Sequence, residues 1–273
     1  FMEGIDLTLQ LPDGVEGMIM AGGILLLSFF IVMFIVVKKR WKGKLMPFFL
    51  GFITYTVFVF MCVNLITSAL ALIPSVDTAF TYNQTAYIIV YYLLAGIAFL
   101  IARMVLTRML TERFETRGDV YMAGLGLGIG DSILYGVTAV SYYVWCIAIR
   151  SEGLESAFAG LSSEDVISTY ESISTLFTSP IILWFLLGIS CIMDMLIQFA
   201  LVNTAYGQLK GYLPGYWSML SVGIYFVNAI SFQLYDSQSV VSIAISFAVK
   251  LVIFAASMYY ALYVAGRQIK YEE

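Results

Sequence analysis

The chain has 273 residues, of which 61% are hydrophobic and 12% are charged, and its formal net charge is −4. Soluble domains carry about 25% charged residues, so the composition excludes a water-soluble domain and indicates an integral membrane protein. The chain holds no histidine, which removes the commonest metal ligand and the commonest general base of proteins. The three cysteines each lie in an apolar run without CxxC spacing and are interpreted as buried apolar residues: Cys62, Cys146 and Cys191.

Apolar runs divide the chain into candidate membrane spans. A spanning helix needs about 20 apolar residues, and seven runs meet that length: Gly17 to Val37, Met46 to Ile73, Ala86 to Leu110, Val120 to Ile149, Ile181 to Tyr206, Gly215 to Tyr235 and Val240 to Gly266. The sequence therefore predicts an all-α, polytopic membrane protein with seven transmembrane helices, forming a single domain over residues 1–273.

The lysines and arginines predict the orientation of the bundle. One set of helix ends carries nearly all of them, while the opposite side carries only Arg150; the first set comprises Lys38, Lys39, Arg40, Lys42, Lys44, Arg108, Arg113, Arg117, Lys210, Arg267 and Lys270. Because basic residues favour the cytoplasmic side, we expect the N-terminus outside and the C-terminus in the cytoplasm, in a bacterial plasma membrane. Basic residues of this kind give no indication of nucleic-acid binding.

A long polar segment, residues 150–179, is predicted to form the largest loop on the outer side. Apolar residues recur at helical spacing after Ser163, from Val166 to Phe177, with acids and serines on the other face. This pattern predicts a short amphipathic helix lying at the membrane interface. A docking surface or a lid for a partner is the alternative interpretation.

Four ionisable side chains lie inside predicted spans: Arg103, Asp131, Asp194 and Lys250. A charged group in hydrocarbon costs roughly 2.5–3.5 kcal/mol on insertion scales, so we expect the two acids and two bases to pair. Asp194 and Lys250 are both central in their spans and are predicted to form one pair. Arg103 and Asp131 lie in the cytoplasmic halves of helices joined by a short loop, and are predicted to form the other.

Uncharged polar residues extend this cluster. Gln198 lies four residues after Asp194, and Asn228 follows Ser221 and Tyr225 at helical spacing. Two interpretations stay open. These groups hold the bundle together by interhelical hydrogen bonds, or they line a polar cavity for a substrate, an ion or a reaction.

Four alternate glycines precede Asp131 in the fourth predicted span: Gly124, Gly126, Gly128 and Gly130. They form two overlapping GxxxG pairs, a common packing motif that lets helices approach closely. We expect this surface to admit the third helix, so that Arg103 can reach Asp131. The run is not a phosphate loop, since it lies within a span and no lysine follows it.

The third and fourth spans resemble a known family. Residues Ala95 to Arg103 read A-G-I-A-F-L-I-A-R, and Gly124 to Asp131 read G-L-G-L-G-I-G-D. They resemble the YhfC-type membrane proteins, which are grouped with the glutamic intramembrane proteases related to the CAAX-processing enzymes. In that pattern paired glutamates stand two residues before an arginine, and the next helix carries G-x-G-H-G-x-x-E. Arg103 and the first three glycines match it.

The resemblance breaks at the catalytic positions. Phe99 and Leu100 stand in place of the paired glutamates, Leu127 replaces the histidine, and Asp131 replaces the last glutamate. In such enzymes glutamate would activate water, with histidine assisting or binding a metal, and leucine and phenylalanine can do neither. The resemblance thus implies a divergent member that keeps the fold, with no catalytic residue, no metal and no cofactor.

The sequence therefore predicts a non-catalytic, protease-like membrane protein that acts as a scaffold or binding subunit for a membrane protein partner, a peptide or a membrane lipid. Two alternatives stay open. The protein is a transporter or channel that uses Asp131, Asp194 and Lys250 as coupling or substrate groups. Or it is an active intramembrane protease with altered residues, in which Asp131 and Asp194 form a catalytic dyad.

Overall fold

The computed structural model describes residues 9–111, 113–159, 161–233 and 238–271, and secondary structure within these ranges is helical. The helices, in chain order, are α1 (Val15–Arg40), α2 (Leu45–Ala71), α3 (Pro74–Tyr82), α4 (Gln84–Leu110), α5 (Arg117–Glu152), α6 (Leu154–Ala157), α7 (Ser163–Ile173), α8 (Thr175–Thr178), α9 (Ile182–Leu209), α10 (Trp217–Ile230) and α11 (Val240–Gln268).

Six helices in the described part of the chain are long and apolar enough to cross a membrane: α1, α2, α4, α5, α9 and α11. Their outward faces carry exposed apolar side chains such as Ile24, Val140 and Val252. So much exposed apolar surface would drive association in water, and it is typical of a surface that faces lipid. The prediction of an all-α, polytopic membrane protein is confirmed.

The seventh predicted span, Gly215 to Tyr235, is shorter in the structure. α10 has 14 residues, about 21 Å at 1.5 Å per residue, whereas a spanning helix needs about 20 residues. Beyond α10, Phe232 is buried against Leu183 near the start of α9, and Tyr235 lies outside the described residues. α10 is therefore shorter than the predicted span. The count of seven spans and the orientation of the termini stay predictions.

The described residues between positions 150 and 179 cover one end of the bundle, which we call the loop end. α7 begins after Ser162, whose hydroxyl oxygen accepts a hydrogen bond from the Asp165 amide at 3.2 Å, a usual way to cap a helix N-terminus. Ile173 and Leu176 are fully buried in an apolar cluster that also contains Val15 of α1. The segment therefore packs onto the helices through apolar contacts, and its place on the outer side of the membrane stays a prediction.

The glycines of α5 bring its backbone against two helices on opposite sides. At 3.6 residues per turn, residues four apart lie on one side of a helix, and residues two apart lie on nearly opposite sides. Gly124 and Gly128 face α9: a Cβ atom would lie 2.9 Å from Phe199 Cα and 2.7 Å from the Met195 carbonyl oxygen, respectively. Neither position has room for a larger residue.

The other two glycines face α2. A Cβ atom on Gly126 would overlap the carbonyl oxygen of Phe48, and one on Gly130 would overlap the ring of Tyr55. The glycine surface therefore admits α2 and α9. Our expectation that it admits α4, the helix of Arg103, is wrong.

A π-helical segment, Tyr55–Met61, interrupts α2 where it passes α5. Such wider turns shift the side chains that follow and occur frequently at functional sites. Here the segment begins at Tyr55, whose ring packs against Gly130 of α5 and lies 5.9 Å from the ring of Phe99 on α4. Tyr55 therefore separates α4 from α5 at the depth of Asp131.

The membrane orientation can be tested by labelling single cysteines. In a variant without Cys62, Cys146 and Cys191, we expect Ser162→Cys and Gln268→Cys to react with a membrane-impermeant maleimide from opposite sides of sealed vesicles. Labelling of both positions from one side would contradict the prediction that an odd number of membrane spans lies between them.

Because α5 lies so close to α2, one added methyl group at Gly126 should lower the stability of the protein strongly. Gly126→Ala is expected to lower the free energy of unfolding by about 1–3 kcal/mol, the usual cost of overpacking, because the new Cβ would overlap Phe48. Gly136→Ala is the matched control on the same helix, since nothing lies within 4 Å of its Cβ position. Thermal unfolding in detergent measures both, and equal midpoints for the two variants would contradict the packing described here.

Candidate functional site

A lysine and an aspartate form a buried ion pair midway along the bundle. Lys250 of α11 donates from Nζ to both carboxylate oxygens of Asp194 of α9, at 2.9 and 2.8 Å. Lys250 is fully buried, and the side chain of Asp194 is 19% exposed. Asn228 of α10 donates to Asp194 Oδ1 at 2.7 Å. One carboxylate thus joins three helices, and the predicted contact between Asp194 and Lys250 is present.

Asp131 belongs to the same region. The Tyr55 hydroxyl lies beside its carboxylate, and Asp194 and Lys250 lie nearby. The next residue, Ser132, donates to the Cys191 carbonyl oxygen at 3.3 Å, which holds α5 against α9 close to Asp194. Asp131, Asp194, Asn228, Lys250 and Tyr55 therefore form one group, which we call the acidic cluster.

Arg103 lies elsewhere, and the predicted ion pair between Arg103 and Asp131 is wrong. Arg103 is fully buried on α4, and its Nη1 donates to Gln198 Oε1 of α9 at 3.4 Å. Within the described ranges, Arg103 Nε and Nη2 and Gln198 Nε2 have no hydrogen-bond partner. Gln198, predicted to extend the polar stripe of Asp194, contacts the arginine instead of the acidic cluster.

The predicted pair between Arg103 and Asp131 is wrong because helices that follow each other in the chain are not the closest neighbours in space. A short connection between α4 and α5 predicts antiparallel neighbours, but α4 packs mainly against α10, α9 and α2. Between Asp131 and α4 lies the ring of Tyr55, in contact with Gly130 on one side and near Phe99 on the other. The carboxylate therefore meets a phenol where the sequence predicted a guanidinium.

Apolar side chains fill the positions that the resemblance described above assigns to catalytic groups. Phe99 and Leu127 are both fully buried in one core cluster. The Phe99 ring lies 4.7 Å from the ring of Tyr225 and 5.9 Å from that of Tyr55. Leu100 is half-buried on the next face of α4. The space between α2, α4 and α10 is thus packed with aromatic and aliphatic groups.

The residues present do not form a metal site. Structural and catalytic zinc sites use three or four His, Cys, Asp or Glu ligands, and no group of three such residues comes together in the described part of the chain. In the acidic cluster Asp131 and Asp194 supply two carboxylates, but Lys250 binds both oxygens of Asp194. The absence of any metal or cofactor stays a prediction.

Tyr55 is the member of the acidic cluster that sequence reasoning missed. The sequence offered one indication: Tyr55 places a phenol within a long apolar run, and buried tyrosines usually find a hydrogen-bond partner. No sequence pattern indicated the π-helical segment that directs it at Asp131. Tyr225, noted in the sequence as part of a polar stripe, contributes its ring to the core.

The buried ion pair predicts strong coupling between two substitutions. Asp194→Asn or Lys250→Met alone leaves an uncompensated group, which costs on the order of 3–5 kcal/mol of unfolding free energy. The double variant should be milder than the more harmful single change. Asp13→Asn, whose side chain is fully exposed in its ion pair with Arg150, is the control and should leave the midpoint unchanged. Simple additivity at Asp194 and Lys250 would contradict the pairing.

Substitutions at Arg103 and Asp131, unlike those at Asp194 and Lys250, are predicted to act independently. Because the two side chains are separate, Arg103→Met and Asp131→Asn should change the unfolding free energy additively, within about 0.5 kcal/mol. Arg103→Met and Gln198→Leu should couple, because those side chains share a hydrogen bond. Chemical unfolding in detergent measures both cycles. Recovery of stability when Asp131→Asn is added to Arg103→Met would contradict this geometry.

Comparison with known proteins places the chain in a family. No curated protein and no solved structure matches it. The model of one family, described as YhfC intramembrane metalloprotease, matches residues 23–210. This range contains α2, α4, α5 and α9, including the glycine run and all three helices that carry Arg103, Asp131 and Asp194. Because the match covers more than half of the chain, the protein belongs to the YhfC intramembrane metalloprotease family.

Proposed function

We propose that this chain is a non-catalytic member of its family that binds another membrane component, namely a protein partner, a peptide or a lipid. The observation that carries the proposal is the packing of Phe99 and Leu127. Both are fully buried in one apolar core cluster, at the positions that the family resemblance assigns to a glutamate and a histidine. Neither side chain can activate water or bind a metal.

The remaining carboxylates support the same conclusion. A general base must be free to take a proton from water, and both oxygens of Asp194 are held by Lys250. Asp194 also accepts from Asn228, so its acceptor positions serve to join α9, α10 and α11. This is the arrangement of a structural ion pair that maintains helix contacts.

The family description implies a bound metal ion, but the side chains of this chain do not supply a suitable set of metal ligands. The chain holds no histidine, and its core acids are shared with Lys250, Asn228 and Tyr55. The scaffold, in contrast, is retained, because the glycines of α5 still bring α2 and α9 into backbone contact. A fold kept without its chemistry is what we expect of a protein selected for binding.

One specific observation favours a second candidate. Ser132, the residue after Asp131, donates to the Cys191 carbonyl oxygen at 3.3 Å, which brings Asp131 and Asp194 to facing parts of α5 and α9, and an aspartyl dyad requires two acids that share one proton. An active protease would therefore use these two residues. Lys250 opposes that use, because an ammonium bound to Asp194 leaves no reason for the two acids to share a proton.

Peptide cleavage distinguishes the two candidates. Protein reconstituted in liposomes should not cleave fluorogenic transmembrane peptides, with or without added zinc, and a chelator should change nothing. The variants Asp131→Asn and Asp194→Asn serve as matched controls. Cleavage that is abolished by either variant would establish the dyad, and cleavage abolished by the chelator would establish a metalloprotease.

Isolation in mild detergent tests the binding role directly. A stoichiometric protein, peptide or lipid that copurifies with the wild-type chain is the expected result. A solute whose uptake into vesicles depends on Asp131 would instead establish a transporter.

A further inference from the structure

A pocket of about 190 Å³ lies at the end of the bundle opposite to the loop end. The C-terminal parts of α4 and α9 and the start of α10 form its walls. Arg108 is the charged residue among its lining residues, which belong to the described part of the chain. The arginine is exposed, so a ligand in the pocket can reach the guanidinium from the surface.

Apolar and charged groups occupy opposite ends of this pocket. Leu100, Met104 and Arg108 follow each other at intervals of four residues, so they lie on one face of α4. Leu100 and Arg108 are separated by roughly 12 Å at 1.5 Å per residue. The pocket is therefore apolar toward the middle of the bundle and positively charged near the end of α4.

The uncharged polar groups of the lining already have partners. Thr107, Thr204 and Ser221 each donate to a carbonyl oxygen of their own helix, at 2.8, 2.9 and 2.7 Å. Ser218 Oγ donates to Gln208 Oε1 at 2.7 Å, which joins α10 to α9. These bonds fix the walls and leave Arg108 as the group whose charge a ligand can balance.

Two acids at this end of the bundle are paired with lysines. Glu115 pairs with Lys210, and Asp119 Oδ2 lies 3.9 Å from Lys44 Nζ. Within the described ranges Arg108 itself makes no ion pair. Its positive charge is therefore available to an anionic ligand.

Depth along the bundle indicates the kind of ligand. Thr204 and Gln208 lie ten and fourteen residues after Asp194 on α9, or roughly 15 and 21 Å at 1.5 Å per residue. Half of a hydrocarbon core is about 15 Å, and Asp194 lies midway along the bundle. The pocket therefore crosses the border between acyl chains and headgroups, with its apolar end on the acyl side and Arg108 on the headgroup side.

The charge of the pocket selects the headgroup. A phosphate diester can accept two parallel hydrogen bonds from one guanidinium, so the phosphate of a phospholipid matches Arg108. No acid is found among the described residues of the lining, so the ammonium of a choline or ethanolamine headgroup would have no partner here. A headgroup whose net charge is negative needs no such partner.

We propose that this pocket binds an anionic phospholipid, whose phosphate pairs with Arg108 and whose acyl chain lies along Met104 and Leu100. This site goes beyond the proposed function, because it depends neither on the acidic cluster nor on the loss of catalysis. Lipid preference and peptide cleavage are measured separately, so each proposal can fail alone.

Competition between two lipids with equal acyl chains tests the phosphate contact. Purified protein in a nonionic detergent is equilibrated with equimolar palmitoyl-oleoyl phosphatidylglycerol and palmitoyl-oleoyl phosphatidylcholine, and native mass spectrometry gives the ratio of bound lipids. The wild type should prefer phosphatidylglycerol by roughly 5-fold, the contribution of one basic residue near a membrane surface. Arg108→Gln should remove this preference. Arg108→Lys should keep part of it, because lysine retains the charge but cannot make two parallel hydrogen bonds.

Arg113→Gln is the matched control, since Arg113 is exposed at the same end of the bundle and does not line the pocket. It removes the same charge and should keep the wild-type ratio. An equal loss of preference in Arg113→Gln and Arg108→Gln, which general surface attraction would produce, overturns the proposal. A wild-type ratio of one overturns it as well, and so does displacement of phosphatidylglycerol by excess inorganic phosphate, which would indicate a site for a soluble anion.

Discussion

Backbone contact along α5 is the constraint on which the rest of the bundle depends. Hydrocarbon supplies no hydrophobic drive for helices to associate, so close packing of small residues must bring them together. Gly124 and Gly128 meet the backbone of α9, Gly126 meets the backbone of α2, and Gly130 meets the ring of Tyr55 on α2, so that α5 is held closely on two sides. The glycines that face α9 alternate along α5 with those that face α2. The positions of α2 and α9 along the bundle are therefore fixed relative to each other. The depth of every polar group on these helices follows from that register.

The buried charges show how this register decides chemistry. Asp194 on α9 is brought to Lys250 and Asn228, whose hydrogen bonds offset the cost of an ionised group inside the membrane. Asp131 on α5 is brought to Tyr55 of α2, because Gly130 leaves room for the phenol ring. Arg103 is left with Gln198 and no acid. Equal numbers of acidic and basic residues in the spans therefore do not ensure that each charge contacts an opposite charge in the folded chain.

Membership of the YhfC family and the loss of catalysis that we propose are compatible in physical terms. Helix packing depends on small residues and apolar volume, and the glycine run of α5 supplies both. Catalysis depends on a few polar side chains at fixed positions, and Phe99 and Leu127 fill those positions with well-packed apolar atoms. The features that define the scaffold can thus persist while a site closes. Binding functions remain open to such a scaffold at other places.

The sequence by itself determined the membrane class, the long helices, the glycine packing surface and the contact between Asp194 and Lys250, because apolar length, residue size and depth along a helix are local properties. Tertiary structure alone decided which helices face each other. It placed α2 between α4 and α5, directed Tyr55 at Asp131 through a π-helical segment, and separated Arg103 from its predicted acid. Helix order in a membrane depends on the fit of whole surfaces, which no spacing within one span encodes.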